Sequence, residues 1–472
     1  MSVSPPTPIP VVVIGGGISG LACAYRLQQA GIGVRLLDAG DRPGGLIATI
    51  EKDGFRFELG PQSFLSTGPL LGLIENLGLK EQLLRADPRA PRYILLRGQL
   101  VPAPLAPPAL LTTPLFSLRT KWRIFTEMFR RSRPPATDES IAAFVRRKFG
   151  DELLDRLVAP FVSGIYAGDP EKLSLGAAFP QVREWEAKYG SVLRGAMKSR
   201  PAKGTPRPGL CTFRGGMEAL PRALAARLGE ACFPQTKVTG LSRGKTDGKS
   251  WFELQVTRQD QRETLAASAV VLATPPNAAA DIVKGLAAQI ADPFLRIKYA
   301  PVAVVAAGYR REQVRRAVDG FGFLVPRGEG LRVLGTVWNS SLFPERAPKG
   351  MSCFTSFAGG ATDPGFCDRN EEEIANVVCR EVEGLLGISD PPVTRFVERY
   401  ARALPQYNLG HADIILELNR RISAVPGLFL TGNYLSGPSI GACVEQAGQT
   451  ADRVRAYLAI IGLANAGAVA HA

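Results

Sequence analysis

Residues 11–20 read Val-Val-Val-Ile-Gly-Gly-Gly-Ile-Ser-Gly, an apolar run that passes without a gap into a glycine cluster. Four consecutive apolar residues predict a buried parallel strand. Gly15, Gly17 and Gly20 then set a G-x-G-x-x-G pattern at the strand's end, with Gly16, Ile18 and Ser19 completing the loop. Leu21 to Ala30 has helical character, Gly31 closes it, and Val34 to Leu37 predicts a second strand ending at Asp38. Gly15 permits the tight turn, Gly17 lets the backbone approach a pyrophosphate, Gly20 lets helix and strand pack, and Asp38 can accept from a ribose hydroxyl. A negative charge at Asp38 disfavours a 2′-phosphate. A glycine-rich turn without a ligand is the bland alternative, and strand, helix and acid in one register argue against it. The fold class is therefore α/β, α+β overall, opening on a Rossmann-like unit.

Asp41-Arg42-Pro43-Gly44-Gly45-Leu46 follows a few residues later and favours FAD over NAD. A cation beside paired glycines puts charge and unobstructed backbone near a diphosphate, which suits an extended dinucleotide. Alone this would be a surface turn. No second G-x-G-x-x-G follows a strand later in the chain, so a separate pyridine-nucleotide domain is not expected. Arg56 to Ser63 alternates and ends in Gly60-Pro61-Gln62-Ser63, where backbone can pass close to a flat ring. Ala269 to Ala273, stopped by Thr274-Pro275-Pro276, and Leu428 to Leu430 predict two more buried strands. The latter leads to a helix from about Gly441 to Leu458 whose N-terminus faces the ligand. The cofactor unit is thus assembled from separated segments.

The chain has 472 residues, 45% hydrophobic and 21% charged, which predicts two or three soluble globular domains. Seven cysteines without a C-x-x-C pair argue against a disulfide framework, and two histidines, His411 and His471, leave little from which to build a metal site. No metal is expected. The 57 basic and 43 acidic residues give a net charge of +14 and call for an anionic partner. Met1 to Pro10 reads as a loose proline-rich leader, not a signal peptide, and Leu100 to Phe116 carries five prolines, so no spanning helix is expected and the chain is placed in the cytoplasm. No zinc knuckle, repeat or other fold motif supports nucleic acid as the partner.

Leu118, Trp122, Phe125 and Phe129 recur at helical spacing among Arg119, Lys121, Arg123, Arg130, Arg131 and Arg133, with Glu127 the one acid. Two readings stay open: a helix lying on an anionic membrane surface, or a core-facing helix with a solvated basic side. Asp138 is expected to cap a helix over 139–149. Between Val302 and Val337 short β-branched runs alternate with turns, predicting a second sheet that roofs the flavin.

Together these segments resemble the flavin-dependent protoporphyrinogen oxidase family, a branch of the amine-oxidase-like flavoproteins. The resemblance spans nearly the whole chain. It is carried by V-V-V-I-G-G-G-I-S-G-L-A at 11–22, F-E-L-G-P-Q-S-F-L at 57–65, S-G-I-Y-A-G-D-P-E-K-L-S at 163–174 and F-R-G-G-M-E-A-L-P at 213–221. G-F-G-F-L-V-P at 320–326, L-P-Q-Y-N-L-G-H at 404–411 and L-T-G-N-Y-L-S-G-P-S-I-G-A-C-V-E-Q-A at 430–447 complete it. The 163–174 and 404–411 segments are the more specific ones.

The resemblance implies a discontinuous FAD-binding domain (1–85, 216–280, 405–472), a mixed-sheet substrate domain (86–108, 190–215, 281–404) and a helical membrane-associating domain (109–189). It implies a porphyrinogen oxidised to the porphyrin by removal of six electrons in three flavin cycles, with molecular oxygen as acceptor and hydrogen peroxide as by-product. Few catalytic side chains are needed, because aromatisation drives the reaction. For the substrate it points to Arg92 on a propionate, to Gly164, to Leu324, Val337 and Phe357 around the pyrroles, and to Gln62, where the family has Asn or Arg. For a non-covalent FAD it points to Gly15 through Gly20, Asp38, Arg42, Gly45, Leu46, Gly60, Pro61, Gln62, Ser63, Val238, Pro438, Ser439 and Ile440, with Cys443 structural. Protoporphyrinogen IX is the expected substrate and coproporphyrinogen III the rival. An amine oxidase and a non-catalytic binding protein of the same fold are more distant alternatives. Peripheral membrane association is implied, and a homodimer is left open.

Overall fold

The computed structural model describes residues 8–104, 107–199, 208–246 and 249–463; residues 1–7, where a leader was expected, and His471 lie outside them. The strand Ile9–Ile14 runs parallel to Val34–Leu37 on one side and to the end of Gln261–Leu272 on the other. Leu428–Leu430 also pairs in parallel with Gln261–Leu272, and Cys232–Phe233 pairs with Val34–Leu37. Thr236–Thr246 and Lys249–Arg258 extend the sheet antiparallel to seven strands. Both faces are covered, which is why the first strand is apolar throughout. Val11 and Val13 enter a core beneath the helices Ile18–Gln29 and Ile440–Ile460, while Val12 and Ile14 enter a second core on the opposite face. The first helix begins at Ile18, three residues before the expected Leu21, because Gly17 already takes the N-cap position.

The expected second sheet is present. Its seven strands run in the order Thr394–Pro405, Tyr299–Arg310, Met351–Gly359, Val333–Trp338, Gly322–Leu324, Arg92–Leu96, Gln99–Pro102. All pairs are antiparallel except Gly322–Leu324 with Arg92–Leu96, so the sheet is mixed. The helix Glu371–Leu386 seals one face with Ile374, Val378, Val382 and Leu386.

Packing places some segments differently from the expected boundaries. The helices Pro276–Val283 and Ala288–Arg296 bury Ile282, Val283, Ile290 and Phe294 against the first sheet, so that unit continues past residue 280. Leu210–Phe213 forms a small sheet with Phe64–Leu65 and Leu83–Arg85, and Cys211 and Phe213 enter the first core. The helix Val192–Lys198 packs with the helical layer through Val192 and Leu193.

Within the helical layer one expectation needs correction and one open choice is decided. Asp138 does not cap the next helix: Ser140 does, its hydroxyl accepting from the Ala143 N–H at 3.1 Å, and the helix is Ile141–Lys148. Asp138 accepts instead from the Ser174 hydroxyl at 2.6 Å and the Gly410 N–H at 3.0 Å, joining three distant segments. Of the two readings open for the helix Leu118–Glu127, the core-facing one does not hold: its aromatic stripe turns outward. Leu118, Trp122 and Phe129 are 84%, 66% and 69% exposed. Thr120, Ile124 and Glu127 face inward, because Glu127 is held by Lys148 at 3.1 Å and by the Ser191 hydroxyl at 2.8 Å.

Candidate active site

The strand-to-helix turn at 15–20 is built so that only glycine fits at two of its positions. Gly15 has φ +112°, and a Cβ there would lie 2.8 Å from the Ala273 carbonyl. A Cβ on Gly20 would lie 1.8 Å from the Gly15 oxygen. Gly17 differs: nothing stands within 4 Å of where its Cβ would be. It is also the N-cap of its helix with no side-chain cap bond, so the helix end is open toward a phosphate.

Other predicted residues converge on this turn. The Gly44 N–H donates to the Gly16 carbonyl at 2.8 Å, and a Cβ on Gly45 would lie 3.4 Å from Gly17 Cα, so the second glycine loop lies against the first. Arg42 shapes that loop by donating to the carbonyls of Ile47 and Gly45, each at 3.1 Å. Asp38 accepts from the Gly16 N–H and, at 2.8 Å, from the Gly40 N–H. The Thr236 N–H donates to the Asp38 carbonyl, which brings the strand bearing buried Val238 beside the acid. Pro438 and Ser439 precede Ile440, the first residue of the C-terminal helix; Ser439 caps it through the Ala442 N–H at 3.2 Å. Its N-terminal turn abuts that of the first helix, Cys443 lying against Ser19. The hydroxyls of Thr67, Thr274 and Thr431 are buried without a partner among the described residues. Two abutting helix N-termini, an open glycine and unpaired hydroxyls fit a bound dinucleotide.

The Gly60–Ser63 loop is held tightly. A Cβ on Gly60 would lie 2.0 Å from the Leu46 oxygen, so these two predicted residues touch through backbone. Gln62 is buried, its Nε2 donating to the carbonyls of Glu58 at 3.0 Å and Gly60 at 2.9 Å. Beneath the loop Glu58 and Arg346 form an ion pair at 2.8 Å, 1% and 2% exposed by side chain. Burial outweighs their mutual attraction on both partners, pushing Glu58 up and Arg346 down. Sequence reading missed this pair, because its members are 288 residues apart and no local pattern marks them.

Four of the residues expected to meet the substrate share one sheet face. Arg92 is in register with Gly322, Gly322 with Val337; Leu324 is in register with Gly335, and Gly335 with Phe357. Cross-strand partners and residues two apart point to the same side. Gly164, on the helix Ala159–Tyr166, faces this row, since a Cβ there would lie 2.7 Å from Leu324 Cδ2. Leu324, Val337 and Phe357 are half-buried. Arg92 stands at the end of the row with its guanidinium 5.1 Å from the Phe321 ring centre. Among the described residues it has no carboxylate within 4.0 Å, and desolvation alone lowers its basicity.

The sequence model of the flavin containing amine oxidoreductases matches residues 18–455. Protoporphyrinogen oxidase 1, chloroplastic, of Arabidopsis thaliana is 36% identical over 475 residues, covering 95% of this chain and 88% of that one. Coproporphyrinogen III oxidase of Bacillus subtilis is 32% identical, covering 95% and 98%. The chain belongs to the protoporphyrinogen and coproporphyrinogen oxidase branch of the flavin-containing amine oxidoreductases. A crystal structure from Exiguobacterium sp. 255-15, 26% identical, superposes with a TM-score of 0.80 over 95% of this chain and 99% of that chain. Membership implies FAD as cofactor, and the cradle at residues 15–20 and 38–46 has the openings such a molecule needs.

Proposed function

We propose that this chain is an oxygen-dependent oxidase that converts protoporphyrinogen IX to protoporphyrin IX in tetrapyrrole biosynthesis, with coproporphyrinogen III as the alternative substrate. The supporting observation is Arg92, an exposed guanidinium that has no carboxylate partner among the described residues and stands at the end of an apolar sheet face. A solvent-facing guanidinium at that edge is free to meet a propionate bidentately. Leu324, Val337 and Phe357 offer a flat apolar bed to the macrocycle, and Gly164 keeps the opposing helix close. The turn at Gly15–Gly20 and the Pro438–Ile440 segment would hold FAD, whose chemistry when bound is two-electron oxidation with oxygen as the final acceptor. The residues' part is to bind, orient and exclude water, since the driving force lies in the substrate. Cys443 supports a non-covalent cofactor: burial pushes its thiol up to about 11, so it stays protonated and unreactive.

Purified flavin-loaded protein given each porphyrinogen separately in air should develop porphyrin fluorescence, with kcat/KM naming the preferred substrate. Arg92→Ala should raise the porphyrinogen KM about tenfold with FAD content unchanged, the magnitude expected for losing one charge-assisted hydrogen bond. An unchanged KM removes Arg92 from the site. Oxidation of neither porphyrinogen by a reducible flavin brings the amine-oxidase reading forward.

The outward Leu118–Trp122–Phe125–Phe129 stripe, flanked by exposed Arg130, Arg131 and Arg133, supports peripheral attachment to an anionic membrane surface. No helix among the described residues is long and apolar enough to cross a membrane. Binding to anionic liposomes should be measurable at low salt, should weaken as salt rises, and should drop several-fold when the three arginines are neutralised. Sedimentation that is insensitive to salt and to those changes would sink the electrostatic part of this reading.

A further inference from the structure

A buried amide holds an unused acceptor where the flavin loop meets the substrate face. Asn339 follows Val337 and Trp338 at the end of the strand Val333–Trp338 and opens the short helix Asn339–Leu342. It is 4% exposed. Its Nδ2 donates to Gln62 Oε1 at 2.6 Å. Logic fixes the orientation of this pair. Gln62 Nε2 commits both hydrogens to the carbonyls of Glu58 and Gly60, so Gln62 can present only oxygen to its neighbour. Asn339 must therefore face it with nitrogen, which leaves Oδ1 as a buried acceptor that no donor among the described residues reaches.

A buried carbonyl oxygen without a donor is unfavourable, and the cost is removed when a ligand supplies one. The location says what kind of ligand. Two residues back along the same strand is Val337, on the face that carries Arg92 and Leu324. Two residues back from Gln62 is Gly60, in backbone contact with the Leu46 turn of the cofactor cradle. The amide thus ties the loop beside the flavin to the end of the substrate strand.

We propose that Asn339 is a positioning residue for the reaction: its nitrogen fixes Gln62 and the Gly60–Ser63 loop, and its oxygen accepts a hydrogen bond from a ring N–H of a bound reactant. The inference rests, for the identity of that reactant, on the reading under Proposed function. A porphyrinogen carries four pyrrole N–H groups and a flavin carries ring N–H groups of its own, so the shared chemistry is a heterocyclic N–H donor. A neutral amide oxygen does not take up a proton near neutral pH, so its contribution is orientation, with no proton transfer.

The test uses the FAD-loaded enzyme and its Asn339→Leu variant, which keeps volume and loses both hydrogen bonds, together with Asn339→Asp, which keeps an acceptor. Flavin content, the visible spectrum and midpoint potential of the ligand-free enzyme, and kcat and KM for the porphyrinogen are read on each. If the donor is the substrate, Asn339→Leu raises KM about tenfold, leaves spectrum and potential in place, and Asn339→Asp restores part of the KM. If the donor is the flavin, spectrum and potential move and KM holds. Either signature supports the proposal. It is overturned if Asn339→Leu alters only the melting temperature or nothing at all. Should the leucine variant fail to fold, Asn339→Ser is too short for both contacts and reads the same quantities. If the wild-type enzyme oxidises neither porphyrinogen, the substrate reading fails by itself, and the flavin spectrum and potential alone decide whether the Asn339 oxygen is used.

Discussion

Gly20→Ala is expected to yield a chain that no longer retains FAD, with an absorbance ratio at 450 and 280 nm near that of apoprotein. The added Cβ would sit 1.8 Å from the Gly15 oxygen and 3.1 Å from Ala273 Cβ, inside the contact between the first strand and its helix. The obstacle is backbone, so no side-chain rotation relieves it. Helix and strand must separate, at a cost of about 3 kcal/mol or more, and the separation moves the donors that face the pyrophosphate. Gly17→Ala is the informative contrast. Gly17 has φ −69° and ψ 173°, which alanine adopts freely, and nothing of the protein lies within 4 Å of its Cβ. That variant should melt as the wild type does while its FAD dissociation constant rises about tenfold, since the methyl group occupies space kept for the ligand. Normal FAD retention by Gly20→Ala, or a cofactor-independent fall in melting temperature for Gly17→Ala, would contradict the assignment of roles within this turn.

That contrast marks what a sequence reader can and cannot see. The turn, the acid at Asp38 and the strand at 428–430 are legible because strand, glycines and helix follow one another without interruption, and each residue's job is set by near neighbours. The amphipathic stretch at 118–129 was readable as a helix but not as to which face turns inward. That choice was made by Lys148 and Ser191, which bury Glu127 from other helices. Asp138 and Ser140 are both good caps by type, and the selection of Ser140 depended on Ser174 and Gly410 claiming Asp138. The rows that align Arg92 with Val337 and Leu324 with Phe357 needed the strand order, which joins residues more than two hundred positions apart. The resemblance to a family placed those four residues in one site before their register was known. It said nothing of Asn339, or of Arg346, which acts through contacts behind the site.

Arg346→Met is expected to lower the melting temperature strongly, by the equivalent of about 3–5 kcal/mol, because it leaves the Glu58 carboxylate buried without its cation. Glu58 would keep the Met217 N–H at 3.0 Å and the Thr49 hydroxyl at 2.6 Å, too few partners to replace a guanidinium. The deficit should depend on pH with a definite sign. Burial already raises the Glu58 pKa above its ordinary value in the folded chain, and Arg346 is the largest influence lowering it. Removing Arg346 raises it further. A carboxyl whose folded pKa exceeds its unfolded one stabilises the fold at pH below the unfolded value, and loses that contribution as pH rises through the folded value. The Arg346→Met deficit should therefore be smallest near pH 5 and grow toward pH 8, which thermal melts across that range measure directly. The double variant Glu58→Gln, Arg346→Met removes both charges and should recover most of the stability with a flat pH response. Its FAD content should match that of the wild type, because the Gln62 bond to the Glu58 carbonyl is a backbone contact that survives the substitution. A pH-independent loss in the single variant would mean that Arg346 matters for its packing and its bonds to Thr212 and Phe213, and that the charge on Glu58 is not what it holds in check.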